Sequence, residues 1–159
     1  MTATYMGWAP SDGGTVWAAA SWSTTLLSLA NNTMALSPII DNTETTIGSA
    51  AYDEGFLQID LGAATTVGST LPISVSAVAL DSLDGTNFTP AYVSGTTLYP
   101  LDYQRAQSFG ASVSQRFIHV RGIVLRPALT KIAIINNLGV AFPATAVTTT
   151  FYRLRKQIG

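Results

Sequence analysis

His119 is the only histidine in a chain that has no cysteine, so a general base, a metal ligand or a catalytic triad would have to be built around that one imidazole. It lies mid-run between Phe117 and Arg121, among residues that alternate as a strand does, which favours a packed structural histidine. The clustered carboxylates are Asp53, Glu54 and Asp60. A glycosidase needs two carboxyls facing one another across a sugar, one of them with its pKa raised by burial; nothing in the spacing places these three so, and a solvated loop is expected. Asp81-Ser82-Leu83-Asp84-Gly85-Thr86-Asn87 sets oxygen-bearing side chains around a glycine, as a calcium loop does, but lacks the acidic ligand that closes the twelve-position pattern. A type I′ hairpin turn at Asp84-Gly85 explains the same residues.

Trp8, Trp17 and Trp22 could stack on sugars, although anchoring a core or an interface is the commoner use of tryptophan. Asp12-Gly13-Gly14 lacks the strand, lysine and helix of a phosphate-binding loop. Net charge of −1 and a pI near 5.6 disfavour nucleic-acid binding, and only the tail around Arg153, Arg155 and Lys156 is locally basic. No catalytic residue, metal or cofactor is expected. The expected working residues are contact residues: Trp8, Trp17, Trp22, Arg153, Arg155 and Lys156.

The elements that would carry these residues read as strands. At 159 residues the chain is long enough for one domain with a sizeable core, and it needs no disulfide. Charged residues form 11% of it and hydrophobic ones 47%, against about 25% charged in a usual soluble domain, which suggests a surface that works in contact with copies of itself or a partner. Val16 to Ala30 lacks a preceding positive region and is interrupted by serines and threonines, so neither a signal peptide nor a membrane anchor is expected there.

Residues 1–15, with Gly7, Pro10, Gly13 and Gly14 and no sustained period, read as an extended N-terminal arm. Residues 16–159 read as a single domain. Within it, strand signals cover Trp17–Leu29, Thr33–Ile40, Phe56–Leu61, Ile73–Leu80, Asn87–Val93, Phe117–Leu125, Lys131–Ile135 and Val147–Leu154, with turn residues between them. Ile73–Leu80 is expected to bury one face and half-wet the other, with Asn87–Val93 returning beside it. Phe117–Leu125 puts Phe117, His119, Arg121, Ile123 and Leu125 on one side, and is expected inside a sandwich or an interface. The spacing predicts an all-β, antiparallel, jelly-roll-like sandwich.

Three segments in order carry a resemblance: Phe56-Leu57-Gln58-Ile59-Asp60-Leu61-Gly62, then Asp81-Ser82-Leu83-Asp84-Gly85-Thr86-Asn87-Phe88, then Leu125-Arg126-Pro127 followed by Lys131 and Asn136-Asn137-Leu138-Gly139-Val140-Ala141-Phe142. Their order resembles small virion structural proteins of tailed bacteriophages, over residues 52–152. The resemblance implies a non-enzymatic β-sandwich in the virion, made in the host cytoplasm, that decorates or cements a capsid. Its partner would be the major capsid protein or another virion protein. A second reading is a host-attachment or carbohydrate-binding module of the tail or fibre.

All nine acidic residues, Asp12 through Asp102, precede all eight basic ones, Arg105 through Lys156. Two expectations follow. The charges meet as pairs within one sandwich, or acidic and basic edges of neighbouring subunits meet around a closed homo-oligomer, with a trimer favoured.

Overall fold

The computed structural model describes residues 26–43, 54–88 and 105–152, together with the backbone of strand segments at 6–8, 17–18 and 153–156. Every regular element among them is a strand: β1 (Met6–Trp8), β2 (Trp17–Ala18), β3 (Thr33–Leu36), β4 (Ile40–Asp41), β5 (Glu54–Thr66), β6 (Ile73–Ser82), β7 (Arg105–Phe109), β8 (Ser114–Val124), β9 (Leu129–Asn137) and β10 (Thr148–Lys156). They form two antiparallel sheets. One runs β1-β10-β5-β8 with β2 also on β10; the other runs β3-β9-β6-β7 with β4 also on β9. The chain is thus the all-β antiparallel sandwich that its spacing predicts.

The core follows from period-two alternation. On β5, Leu57, Ile59 and Leu61 are buried while Phe56, Gln58 and Asp60 lie on the other side. They meet Ile118, Val120 and Ile123 of β8, Phe151 of β10, and Ile73, Val75, Ile132 and Ile134 of the facing sheet. Gly55 is glycine because the Phe151 ring occupies its side-chain space: a Cβ there would lie 2.3 and 2.6 Å from two ring carbons.

Four expectations need correction. Ile73–Leu80 is buried on both faces, because Val78 and Leu80 join Met34, Ala133 and Ile135 in a second apolar cluster on the outer side of that sheet, with Leu36 and Phe88 packed against it. Phe117–Leu125 is not one continuous alternation: Gly122, at φ 72°, forms a bulge, and β8 passes three residues (Val120 to Ile123) where β5 passes two (Leu57 to Gly55). The extra residue returns Ile123 and Leu125 to the core side and leaves Phe117, His119 and Arg121 facing out. Among the described residues that strand ends the order of its sheet. Asp84-Gly85 is no type I′ turn, since Gly85 has φ 73° but Asp84 is not at positive φ. Asn87 and Phe88 are not strand, and residues 89–93 lie outside the described residues; β6 pairs instead with β7, which begins at Arg105.

Strand limits differ elsewhere as well. Thr33–Ile40 divides into β3 and β4, both on β9, and the first segment holds strand at Trp17–Ala18 while Leu26–Leu29 is not strand.

Candidate interaction surface

β5, β8 and β10 bring four rings together on the outer face of their sheet. Tyr152 sits opposite Phe56 and Gln58 opposite His119 in register. The Tyr152 and Phe56 rings lie 5.6 Å apart at 24°, Phe56 and His119 5.6 Å apart at 32°, and His119 and Phe117 6.5 Å apart at 6°. Offset stacks of this kind add about 0.5–1.5 kcal/mol per pair beyond area burial. The bulge at Gly122 shapes the row, because without it Ile123 would follow Phe117 and His119 outward.

Two guanidinium groups complete the row. Arg121 lies 5.4 Å from the Phe56 centroid and Arg116 lies 4.9 Å from that of Phe117. Arg116 also donates through Nε and Nη2 to the two Asp60 oxygens, at 2.9 and 3.1 Å. This fork is half-exposed on the arginine side, so its net worth is small, but it fixes the plane of the guanidinium beside the ring. The Arg116 hydrogen bonds hold the Asp60 carboxyl below the usual carboxylate range, aided by the Gly62 N–H at 2.8 Å. Gly62 can donate there because its φ of 77° turns the chain.

His119 is half-buried between Phe56 and Phe117, and its backbone N–H donates to Gln107 Oε1. It is a packed ring, and it is also part of a surface. The carboxylates are not brought together: Glu54 and Asp60 occupy one strand six residues apart, a rise of about 20 Å at about 3.4 Å per residue, whereas glycosidases hold their carboxyls roughly 5–9.5 Å apart. Asp53 lies outside the described residues.

The Asp84 loop is built by its own carboxylate. Oδ1 accepts from Ser82 Oγ, Thr86 N and Asn87 N, each at 2.8 Å, and Oδ2 accepts from Asn87 Nδ2 at 2.7 Å. These bonds, the Asn87 N–H foremost, press its pKa far down. The loop borders a cavity of about 330 Å³ lined by Asp81, Ser82, Leu83, Asp84, Asn87 and Ala128. Beneath it, burial pushes the Asp81 carboxyl up, opposed by a hydrogen bond from Thr130 and the charge of Arg126 at 3.5 Å. Among the described residues no three His, Cys, Asp or Glu side chains gather where a metal ion could sit.

Of the contact residues expected from sequence, Trp8, Trp17, Arg153, Arg155 and Lys156 lie on neighbouring strands. β1 pairs Trp8 with Leu154, Gly7 with Arg155 and Met6 with Lys156, and β2 pairs Trp17 with Phe151; Arg153 is paired with Gly55 across β5. The side chains of Trp8, Trp17, Arg153, Arg155 and Lys156, and the whole of Trp22, lie outside the described residues. The residues that sequence reasoning missed are Phe56, Phe117, Tyr152, Arg116 and Arg121. Their signal was the outward half of each alternation, Phe56-x-Gln58-x-Asp60 and Phe117-x-His119-x-Arg121, but which of them touch is a matter of cross-strand register.

No family model, curated protein or solved structure matches the chain.

Proposed function

We propose that this chain is a non-enzymatic virion structural protein of a tailed bacteriophage, a capsid decoration or cement protein that binds the shell through its outer sheet face. The observation that carries the reading is the row Tyr152, Phe56, His119 and Phe117 with Arg116 and Arg121 upon it. Aromatic residues and arginine are the residue types that anchor protein contacts. Phe117 is 39% exposed, which a solitary core strand does not require.

Strand order supports the architecture. With β1 and β2 counted as one edge position and β3 and β4 as another, the sheets run 1-8-3-6 and 2-7-4-5. Apart from β6 and β7, which are neighbours in one sheet, successive strands alternate between the sheets, and this order favours the two interlocked Greek keys of a jelly roll, as used by viral capsid and lectin domains. The motif order described above supports the virion assignment. Partners would be the major capsid protein or another virion protein, with avidity from many copies in place of a tight single site, and the chain would form a homo-oligomer, with a trimer favoured.

The test is the protein composition of purified particles. A fixed copy number relative to the major shell protein is expected, and Phe117→Ala with Arg121→Ala should lower occupancy while the isolated protein stays folded. Particles lacking the chain would refute the proposal. A specific glycan-array signal abolished by the same two substitutions would favour the host-attachment reading instead.

A further inference from the structure

β8 ends the hydrogen-bonded order of its sheet among the described residues. The other terminal strands are short: β1 has three residues, β2 two, β3 four, β4 two and β7 five. β8 has eleven. A long edge with free N–H and C=O groups is a template for another chain, and proteins blunt such edges by shortening, twisting or covering them. Among the described residues, the covering on β8 is done by side chains. Phe117 O accepts from Gln115 Nε2 at 2.8 Å, the His119 N–H donates to Gln107 Oε1, and Gly122 O accepts from Arg105 Nε at 3.0 Å. Two of these caps come from β7, the edge strand of the opposite sheet, where Arg105 and Gln107 share one face by the two-residue period. The third comes from β8 itself. The Gly122 bulge adds a kink at the same edge.

We infer that Arg105, Gln107 and Gln115 form a side-chain lock that withholds the β8 edge from strand pairing with a second copy of this chain. The inference does not depend on the virion reading. It explains why β7, with every residue at least partly exposed, is nonetheless built with a polar residue at each capping position. The lock closes the sandwich at β7 and β8 and leaves the aromatic row, not the edge, as the surface open to a partner.

The test combines Arg105→Ala with Gln107→Ala. Hydrogen exchange at the His119 amide should quicken about tenfold or more in dilute solution, as expected for loss of one hydrogen bond. Sedimentation at rising concentration should show association beyond the wild-type state, with the His119 amide protected again in the associated species. Because backbone ladders are not screened as exposed ion pairs are, this association should persist at high salt. Gln107→Glu keeps an acceptor and should leave the oligomeric state unchanged; if the double variant does not fold, Gln107→Ala alone is measured in the same way. Faster exchange without new association overturns the inference, and so does association that leaves the His119 amide unprotected.

Discussion

Replacing Gly55 with alanine tests the packing that sets β5 against β10. The added Cβ would stand 2.3 and 2.6 Å from two carbons of the Phe151 ring and 3.5 Å from Ile123 Cβ. Ordinary contact begins near 3.4 Å, so the ring must retreat by about 1 Å, and Phe151 is fully buried. Overpacking of this kind costs about 1–3 kcal/mol. Gly55 is not at positive φ, so alanine recovers roughly 0.5–1 kcal/mol of chain entropy, and the expected net loss is about 1–2 kcal/mol. At roughly 2–4 °C per kcal/mol for a chain of this size, the melting temperature should fall by several degrees. Phe151→Leu withdraws the ring, so the Gly55→Ala, Phe151→Leu pair should lose less than the sum of the singles in urea unfolding. A Gly55→Ala protein as stable as the wild type, or additive losses in the pair, would refute this packing.

Gly85→Val should destabilise the fold by more than about 1 kcal/mol, since a β-branched residue is forced to φ 73° with Leu129 Cδ1 3.1 Å from its Cβ; calcium should not raise the melting temperature of either protein, because the Asp84 carboxylate is already satisfied by its own loop. Asp60 has a lowered folded pKa, so its contribution is present above the unfolded value of about 3.9 and is lost as pH falls through the folded one. Asp60→Asn should therefore lower the urea midpoint at neutral pH and not at the acid end, and an equal loss at both would contradict this. Thr149 Oγ1 is buried without a hydrogen-bond partner, so Thr149→Val should raise stability by about 1 kcal/mol, checked by urea titration. Light scattering should show a trimer at about 0.1 M salt that loosens toward about 1 M as the Debye length shrinks from about 10 to 3 Å; a monomer at low salt would end the ring proposal.

Sequence showed most where one face of a strand is apolar. β5 was legible because Leu57, Ile59 and Leu61 alternate with polar or aromatic residues, and β6, β9 and β10 were found for similar reasons. β7 was invisible because Arg105-Ala106-Gln107-Ser108-Phe109 has no buried face; its place comes from the ladder to β6 and the caps on β8, both non-local. The phase of β8 was misread because a bulge moves Ile123 and Leu125 across the sheet, and Gly122 alone does not announce one. Charge order was legible but its use was not. Asp60 with Arg116 and Asp81 with Arg126 meet within the chain, as the intramolecular expectation has it for those two pairs.

The motifs that carried the resemblance do structural work. Asp60 holds the Gly62 N–H at the turn of β5, and Asp84 organises its loop. Asn136 donates to Leu29 O and Val140 O and accepts from the Leu138 N–H, while Gly139 donates to Asn31 Oδ1 at φ 77°. Each fixes a backbone turn, so a change at any of them is expected to act on the folded state. The outer row has the opposite character, since Phe117 and Arg121 are exposed and fix no turn. On the proposed reading, stability and contact are encoded in separate residues. Changes at Asn136 or Asp84 should act on the folded fraction, and changes at Phe117 or Arg121 should lower particle occupancy by more than the loss of their ring contacts takes from stability. If both kinds of change acted only through stability, the outer row would be a packing feature and the contact surface would have to be sought elsewhere on the sandwich.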